Sequence, residues 1–188
     1  FNPIKMTAIE ILVKEHDSIL KMIEITQKIL NTNDPAKVNI NHVNSIIDFI
    51  KNFADKYHHL KEEDVLFMEM EKRGMPREGG PIGVMLHEHD EGRKCIKQAT
   101  EAVEQYIAGN VKAFESIREN LLNYCNLLTN HIYKENNILY PMAERFLPVE
   151  IQLAMSVDFE RANATTVGDE YHNKYLKLVD ELSKIYTN

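Results

Sequence analysis

Apolar residues recur at steps of three and four along four long stretches, with polar residues between them. The first stretch runs from about Pro3 to Leu30 through Ile9, Leu12, Ile19 and Ile23, which predicts a helix. Asn31-Thr-Asn-Asp-Pro35 stops it, because Asn, Asp and Pro favour turns over helix interiors. A second helix is expected from about Asn41 to Arg73 through Val43, Ile47, Ile50 and Ala54, closed by Gly74-Met-Pro76 and Gly79-Gly80. Pro81 suits the first position of a third helix, where its missing N–H costs nothing, and that helix should reach Ala108. Gly109-Asn110 then reads as a C-cap followed by an N-cap. The fourth helix carries Ile117, Leu121, Tyr124, Leu128, Ile138 and Met142 and ends near Pro148. Short connections predict an all-α, antiparallel up-down four-helix bundle over residues 1–147. Residues 148–188 read as a C-terminal helical extension packed on the bundle. A short helix, a break at Gly168 and a fifth helix through Tyr171, Tyr175, Leu178, Leu182 and Ile185 make it up.

The polar residues on these stripes repeat. Glu15-His16-Asp17 recurs as Glu88-His89-Asp90, an offset of 73 residues. His58-His-Leu-Lys-Glu62-Glu-Asp-Val-Leu-Phe67 recurs as His131-Ile-Tyr-Lys-Glu135-Asn-Asn-Ile-Leu-Tyr140 at the same offset. One helical hairpin has been used twice, which implies a pseudo-two-fold bundle with matching positions facing each other. In helix four the buried series is Ile117, Leu121, Tyr124, Leu128, His131, Glu135, Ile138, Met142. Helix two repeats it with Ile47, Ile50, Ala54, His58, Glu62, Val65. His16 and His89 take stripe positions after Leu12 and Met85.

Two carboxylates and four imidazoles in one core would cost several kcal/mol per ion if left unpaired. A pair of divalent cations answers that cost, with a bridging hydroxide or other anion balancing part of the remaining charge. Residues i and i+4 stack on one helix face, so His-x-x-x-Glu presents a nitrogen and an oxygen to the same cluster. Imidazole and carboxylate donors without thiolate suit iron or manganese better than a structural zinc site. The bland alternative, a metal-free His–Glu network, leaves half-satisfied buried groups and no reason for the symmetry. His59 and Glu63 form a competing pair shifted by one residue. The shift rotates them about 100° off the stripe, and the repeat matches His58, not His59, with His131. His87 is expected off the His89 face. Glu15, Asp17, Glu88 and Asp90 are candidates to orient imidazole N–H groups. Tyr171 and His172 could reach the cluster if the last helix caps the bundle mouth.

Composition narrows the function classes. The chain of 188 residues is 44% hydrophobic and 27% charged, as expected of one soluble globular domain. A formal charge of −7 argues against nucleic-acid binding. No apolar run approaches the ~20 residues needed to cross a bilayer, and no signal-peptide pattern is found. Residue 1 is Phe rather than Met, which points to processing or an imposed boundary. Cys95 and Cys125 make no disulfide framework, suit a reducing cytoplasm and read as small buried hydrophobes.

At these motifs the sequence resembles the hemerythrin-like family of HHE cation-binding domains, over roughly residues 8–147. The segments that carry it are Glu15-His16-Asp17, His58-x-x-x-Glu62, Gly80-Pro-Ile-Gly-Val-Met85-x-x-Glu88-His89-Asp90 and His131-x-x-x-Glu135-Asn-Asn-Ile-Leu-Tyr-Pro141. The resemblance implies two iron ions (Fe2+/Fe3+) with a bridging oxide or hydroxide, manganese or zinc being substitutes. His16, His58, His89 and His131 would be terminal ligands, and Glu62 and Glu135 would bridge. In the family's oxygen carriers a fifth histidine lies one turn before the helix-three ligand and helix four supplies an aspartate. Here Met85 and, one residue earlier than the aspartate, Glu135 hold those places. Four His and two Glu are nearest to the bacterial repair-of-iron-centres proteins, linked to nitrosative and oxidative stress. The implied ligand is O2, NO or peroxide, in sensing, scavenging or stress repair. An iron storage or sensing module without turnover is the alternative, and an O2 carrier a third. No reductase domain is visible, so any turnover would need an external electron-donor protein. The protein is expected to be a monomer or homodimer in the cytoplasm.

Overall fold

Thr7 accepts a hydrogen bond from the Glu10 amide while the Glu10 carboxylate accepts one from the Thr7 amide, a capping box that starts α1 (Ala8–Leu30). The computed structural model describes residues 5–32, 34–166 and 168–187, without side chains at 164–169. The expected start at Pro3 lies outside the described residues. Helix α2 spans residues 40–71 without a break, and α3 is Pro81–Ile107. Helix α4 spans residues 113–146. The extension consists of α5 (Val149–Thr166) and α6 (Gly168–Tyr186), so its first helix is long rather than short. At the α3–α4 turn, Gly109 has φ +103°, a conformation glycine adopts without penalty. Asn110 does not cap α4 as expected. Its amide donates to Gln105 O at 3.0 Å, closing α3, and Lys112 precedes α4 with no side-chain cap.

Contacts run antiparallel around the bundle. Asp55 and Glu63 on α2 meet Arg93 and His89 on α3, in reversed order. His16 on α1 meets Asn136 on α4, while the Leu30 carbonyl accepts from Arg118.

Two apolar clusters fill the bundle. One contains Ile19, Phe49, Ala54, Ile96, Leu121 and Leu128, joined by Tyr175, Val179 and Leu182 from α6. The other contains Leu12, Leu66, Met85 and Leu139, joined by Met155 and Phe159 from α5. Every helix of the bundle leaves a gap between the clusters at the same level. His16 falls between Leu12 and Ile19, His58 and Glu62 between Ala54 and Leu66, His89 between Met85 and Ile96, and His131 and Glu135 between Leu128 and Leu139. The result is a polar layer across an otherwise apolar core.

Two expected core positions on the bundle helices are overturned, for one reason. Ile138 is 51% exposed and Val65 only half-buried, while Leu139 and Leu66 are buried instead. Just below the layer both helices wind as π-helix, over Glu62–Leu66 and Glu135–Leu139. The Phe67 amide bonds to the Glu62 carbonyl and the Tyr140 amide to that of Glu135, five residues back. The wider turn absorbs one extra residue and moves the apolar stripe along by one. The two π turns are themselves 73 residues apart, so the repeat extends to the backbone irregularity. Met142 is half-buried, and Ile185 on α6 is exposed rather than in the core. Cys125 is buried and Cys95 only partly so.

Candidate metal centre

The polar layer is buried. His16, His58, His89 and His131 are each at most 1% exposed, and Glu62 and Glu135 are at 0%. Each imidazole is held from behind at Nδ1. Glu15 lies 2.8 Å from His58, Glu88 2.9 Å from His131, Glu63 2.7 Å from His89, and the Asn136 side-chain oxygen 2.7 Å from His16. The pattern obeys the repeat, since Glu15 matches Glu88 and Glu63 matches Asn136. Such an acceptor fixes the ring so that Nε2 carries the lone pair facing inward.

The inward atoms crowd one another, and only some are satisfied: His89 Nε2 and His131 Nε2 lie 3.1 Å apart, within hydrogen-bond reach. His131 Nε2 lies 2.9 Å from Glu135 Oε1, and His16 Nε2 3.1 Å from Glu135 Oε2. His89 Nε2 lies 3.4 Å and His58 Nε2 3.8 Å from Glu62 Oε2. His58 Nε2, Glu62 Oε2 and both Glu135 oxygens make no aligned hydrogen bond. Buried atoms of this kind normally find a partner. The donors sort into two groups, His16, His58, Glu62 with Glu135 and His59, Glu62 with His89 and His131, each with its ligand atoms within 4.8 Å of one another. Two clusters of N and O donors with no thiol, sharing Glu62, fit a pair of divalent cations of the iron or manganese kind.

Without metal, protons occupy part of this space. Burial alone would lower the His131 pKa, but the Glu135 and Glu88 carboxylates push it up to about 10. Burial takes His58 the other way, down to about 3. His131 therefore favours folding below its ordinary pKa near 6.5, and this support is lost as pH rises through about 10. His58 resists protonation when folded, so acid below about 6.5 destabilises the fold. We expect chelator-stripped protein to melt highest between pH 6 and 7 and lower on both sides, a bell that thermal denaturation across pH 4–10 would reveal. A melting temperature rising steadily to pH 10 would contradict it.

The six residues singled out from the sequence thus lie in one layer. Of the four candidate orienting carboxylates, Glu15 and Glu88 take that place, each toward the histidine of the neighbouring helix, while Asp17 and Asp90 are exposed. His87 is also exposed. His172 lies against the rings of Phe53 and Tyr57, and Tyr171 against Tyr175, both on the flank of the bundle. His59, placed off the stripe, is buried and stacks on His89 with centroids 3.8 Å apart. Sequence reading also passed over Tyr140, whose hydroxyl donates to Glu62 Oε1 at 2.6 Å and lies 3.3 Å from His16 Nε2. The repeat offered a signal for the lysines, because Lys61 and Lys134 match, and each pairs with the carboxylate behind a histidine. Tyr140 had none, its match being Phe67.

The profile of the Hemerythrin HHE cation binding domain matches residues 7–143. The iron-sulfur cluster repair protein YtfE of Musicola paradisiaca is 33% identical over 91 residues, 47% of this chain and 40% of that protein. Its namesake in Salmonella paratyphi B is 36% identical over 90 residues, 46% and 40%. The matched stretch is thus well under half the length of these relatives. No solved structure matches the chain. No helix among the described residues is long and apolar enough to cross a membrane. With the family profile spanning the bundle and the donor layer inside it, this chain belongs to the hemerythrin HHE cation-binding domain family.

Proposed function

We propose that the protein is a non-haem di-iron protein that binds or reduces O2, NO or peroxide in stress sensing, scavenging or repair. His16, His58, Glu62, His89, His131 and Glu135 hold the metals in this reading. The observation that carries it is the set of buried inward-facing donor atoms without partners, behind which every imidazole is oriented by a second group. The relatives' name, iron-sulfur cluster repair, supports the stress setting.

When bound, two irons supply reversible one-electron chemistry and open coordination positions for a small ligand. The chain's own residues supply the rest. The two apolar clusters keep bulk water from the layer, and Glu15, Glu63, Glu88 and Asn136 hold the imidazoles in one orientation. Tyr140 donates its O–H to Glu62 Oε1 and lies beside His16 Nε2, which holds that carboxylate in place and keeps a hydroxyl within the layer. A groove of about 480 Å³ between α2 and α3 opens from the surface onto His59 and His89, past Asp55, Gly92 and Arg93. It is wide enough for a small solute. Electrons would come from an external donor.

Anaerobically reduced, iron-loaded protein titrated separately with NO and O2 tests this reading. Visible absorption should change at a stoichiometry of one ligand per two irons. Repeated turnover with an electron donor would identify an enzyme, and reversal on removing O2 a carrier. No spectral response to either gas, with exchangeable iron, would replace the proposal with a storage module.

A further inference from the structure

The donor layer departs from its two-fold symmetry at one imidazole. His59 matches Ile132 under the 73-residue offset, so only α2 supplies this nitrogen. The backbone departs at the same place. Residues Ile50–His59 wind as a π-helix, whereas the matching 123–132 in α4 are regular α-helix. Extended π winding of this kind is rare and concentrates at functional positions. Its last two residues are His58 and His59, both buried, which face different donor groups.

His59 lacks the firm partner its four neighbours have. Its Nδ1 lies 3.4 Å from Asp55 Oδ1 and makes no aligned hydrogen bond. Asp55 is engaged by Arg93, whose Nε and Nη2 donate to Oδ1 at 3.0 and 2.7 Å. The His59 ring stacks on His89 and meets His131 edge-on at 5.8 Å. One of its ring nitrogens lies within 4.8 Å of the donor atoms of Glu62, His89 and His131.

We infer that His59 is a fifth histidine ligand, added to the metal position of His89 and His131, which makes the two positions chemically unequal. The position of His16 and His58 then keeps two imidazoles. Tyr140 stands beside that same position. The inference rests on the di-iron reading.

The test compares wild type with His59→Phe, each loaded anaerobically with Fe2+. Phenylalanine keeps a ring to stack on His89 and offers no lone pair. X-ray absorption should count five imidazoles per iron pair in wild type and four in the variant. Mössbauer spectra should show two unequal doublets that converge on substitution. One of the two irons should leave to a chelator about 10–100-fold faster. His59→Ala supplemented with free imidazole should restore the wild-type spectrum, which guards against a variant that packs badly. Unchanged imidazole counts and doublets in both variants would show that His59 only stacks, overturning the inference. Wild type that holds fewer than two irons would instead overturn the di-iron reading beneath it.

Discussion

Glu15→Ala should destabilise the metal-stripped protein by about 3–5 kcal/mol, whereas the symmetry-related Glu88→Ala should cost about 1 kcal/mol or less. The two carboxylates have the same neighbours by repeat, a histidine behind which each stands and a lysine three residues further along. Burial separates them. The Lys61 side chain is 2% exposed, with its ammonium 3.4 Å from the Tyr57 ring centroid and Phe159 of α5 beyond. Lys134 is 33% exposed. Removing Glu15 strands a buried ammonium, and removing Glu88 leaves one that water can reach. The pKa directions show the same contrast. Burial raises that of Glu15 despite Lys61, while at Glu88 the pull of His131 and Lys134 overcomes burial and lowers it. Combining Glu15→Ala with Lys61→Met should recover most of the loss, because a buried ion pair is often replaceable by apolar groups. Metal affinity should respond differently, falling about 10–100-fold in both single variants since both lose the acceptor behind an imidazole. Urea unfolding of stripped protein and chelator competition measure the two effects separately. Equal destabilisation by both substitutions would refute the role given to burial.

The contrast between these variants also marks what the sequence could reveal. The repeat showed that Glu15 and Glu88, or Lys61 and Lys134, do equivalent things, because equivalence is written in residue identity and spacing. Their depth depends on α5 covering one side, a tertiary fact with no local signature. The bundle was legible for the same reason, its stripes being regular over several turns, and so was the gathering of six His and Glu side chains in one buried layer. Val65 and Ile138 were misplaced because a period of 3.6 was carried through turns that wind as π-helix. His59 was set aside by the same assumption. A rotation of about 100° from His58 takes a side chain off the His58 stripe, but in this bundle it leads toward α3, where His89 receives it. Tyr140 has a phenylalanine as its match, so symmetry argued against it.

The two carboxylates between the imidazoles should matter most for metal. Glu135→Ala is expected to lose about one metal equivalent per chain and most of the visible absorbance, and His131→Ala to do the same. Glu135 places one oxygen 2.9 Å from His131 Nε2 and the other 3.1 Å from His16 Nε2, so its loss removes a donor from between the two sides of the layer. Glu62 belongs to both donor groups, and its Oε1 is already engaged by Tyr140. The double variant Glu62→Ala, Glu135→Ala should hold neither metal. Two divalent cations would then face only neutral imidazoles in a core shielded from water, where uncompensated like charges repel far more strongly than at a surface. The fold should survive, because the apolar clusters above and below the layer are untouched and the stripped layer sheds two buried carboxylates. Circular dichroism should therefore remain helical while elemental analysis reports the loss of metal. Two metals retained by a helical double variant would mean that the imidazoles alone suffice, and the bridging role that the family resemblance implies for the glutamates would have to be abandoned.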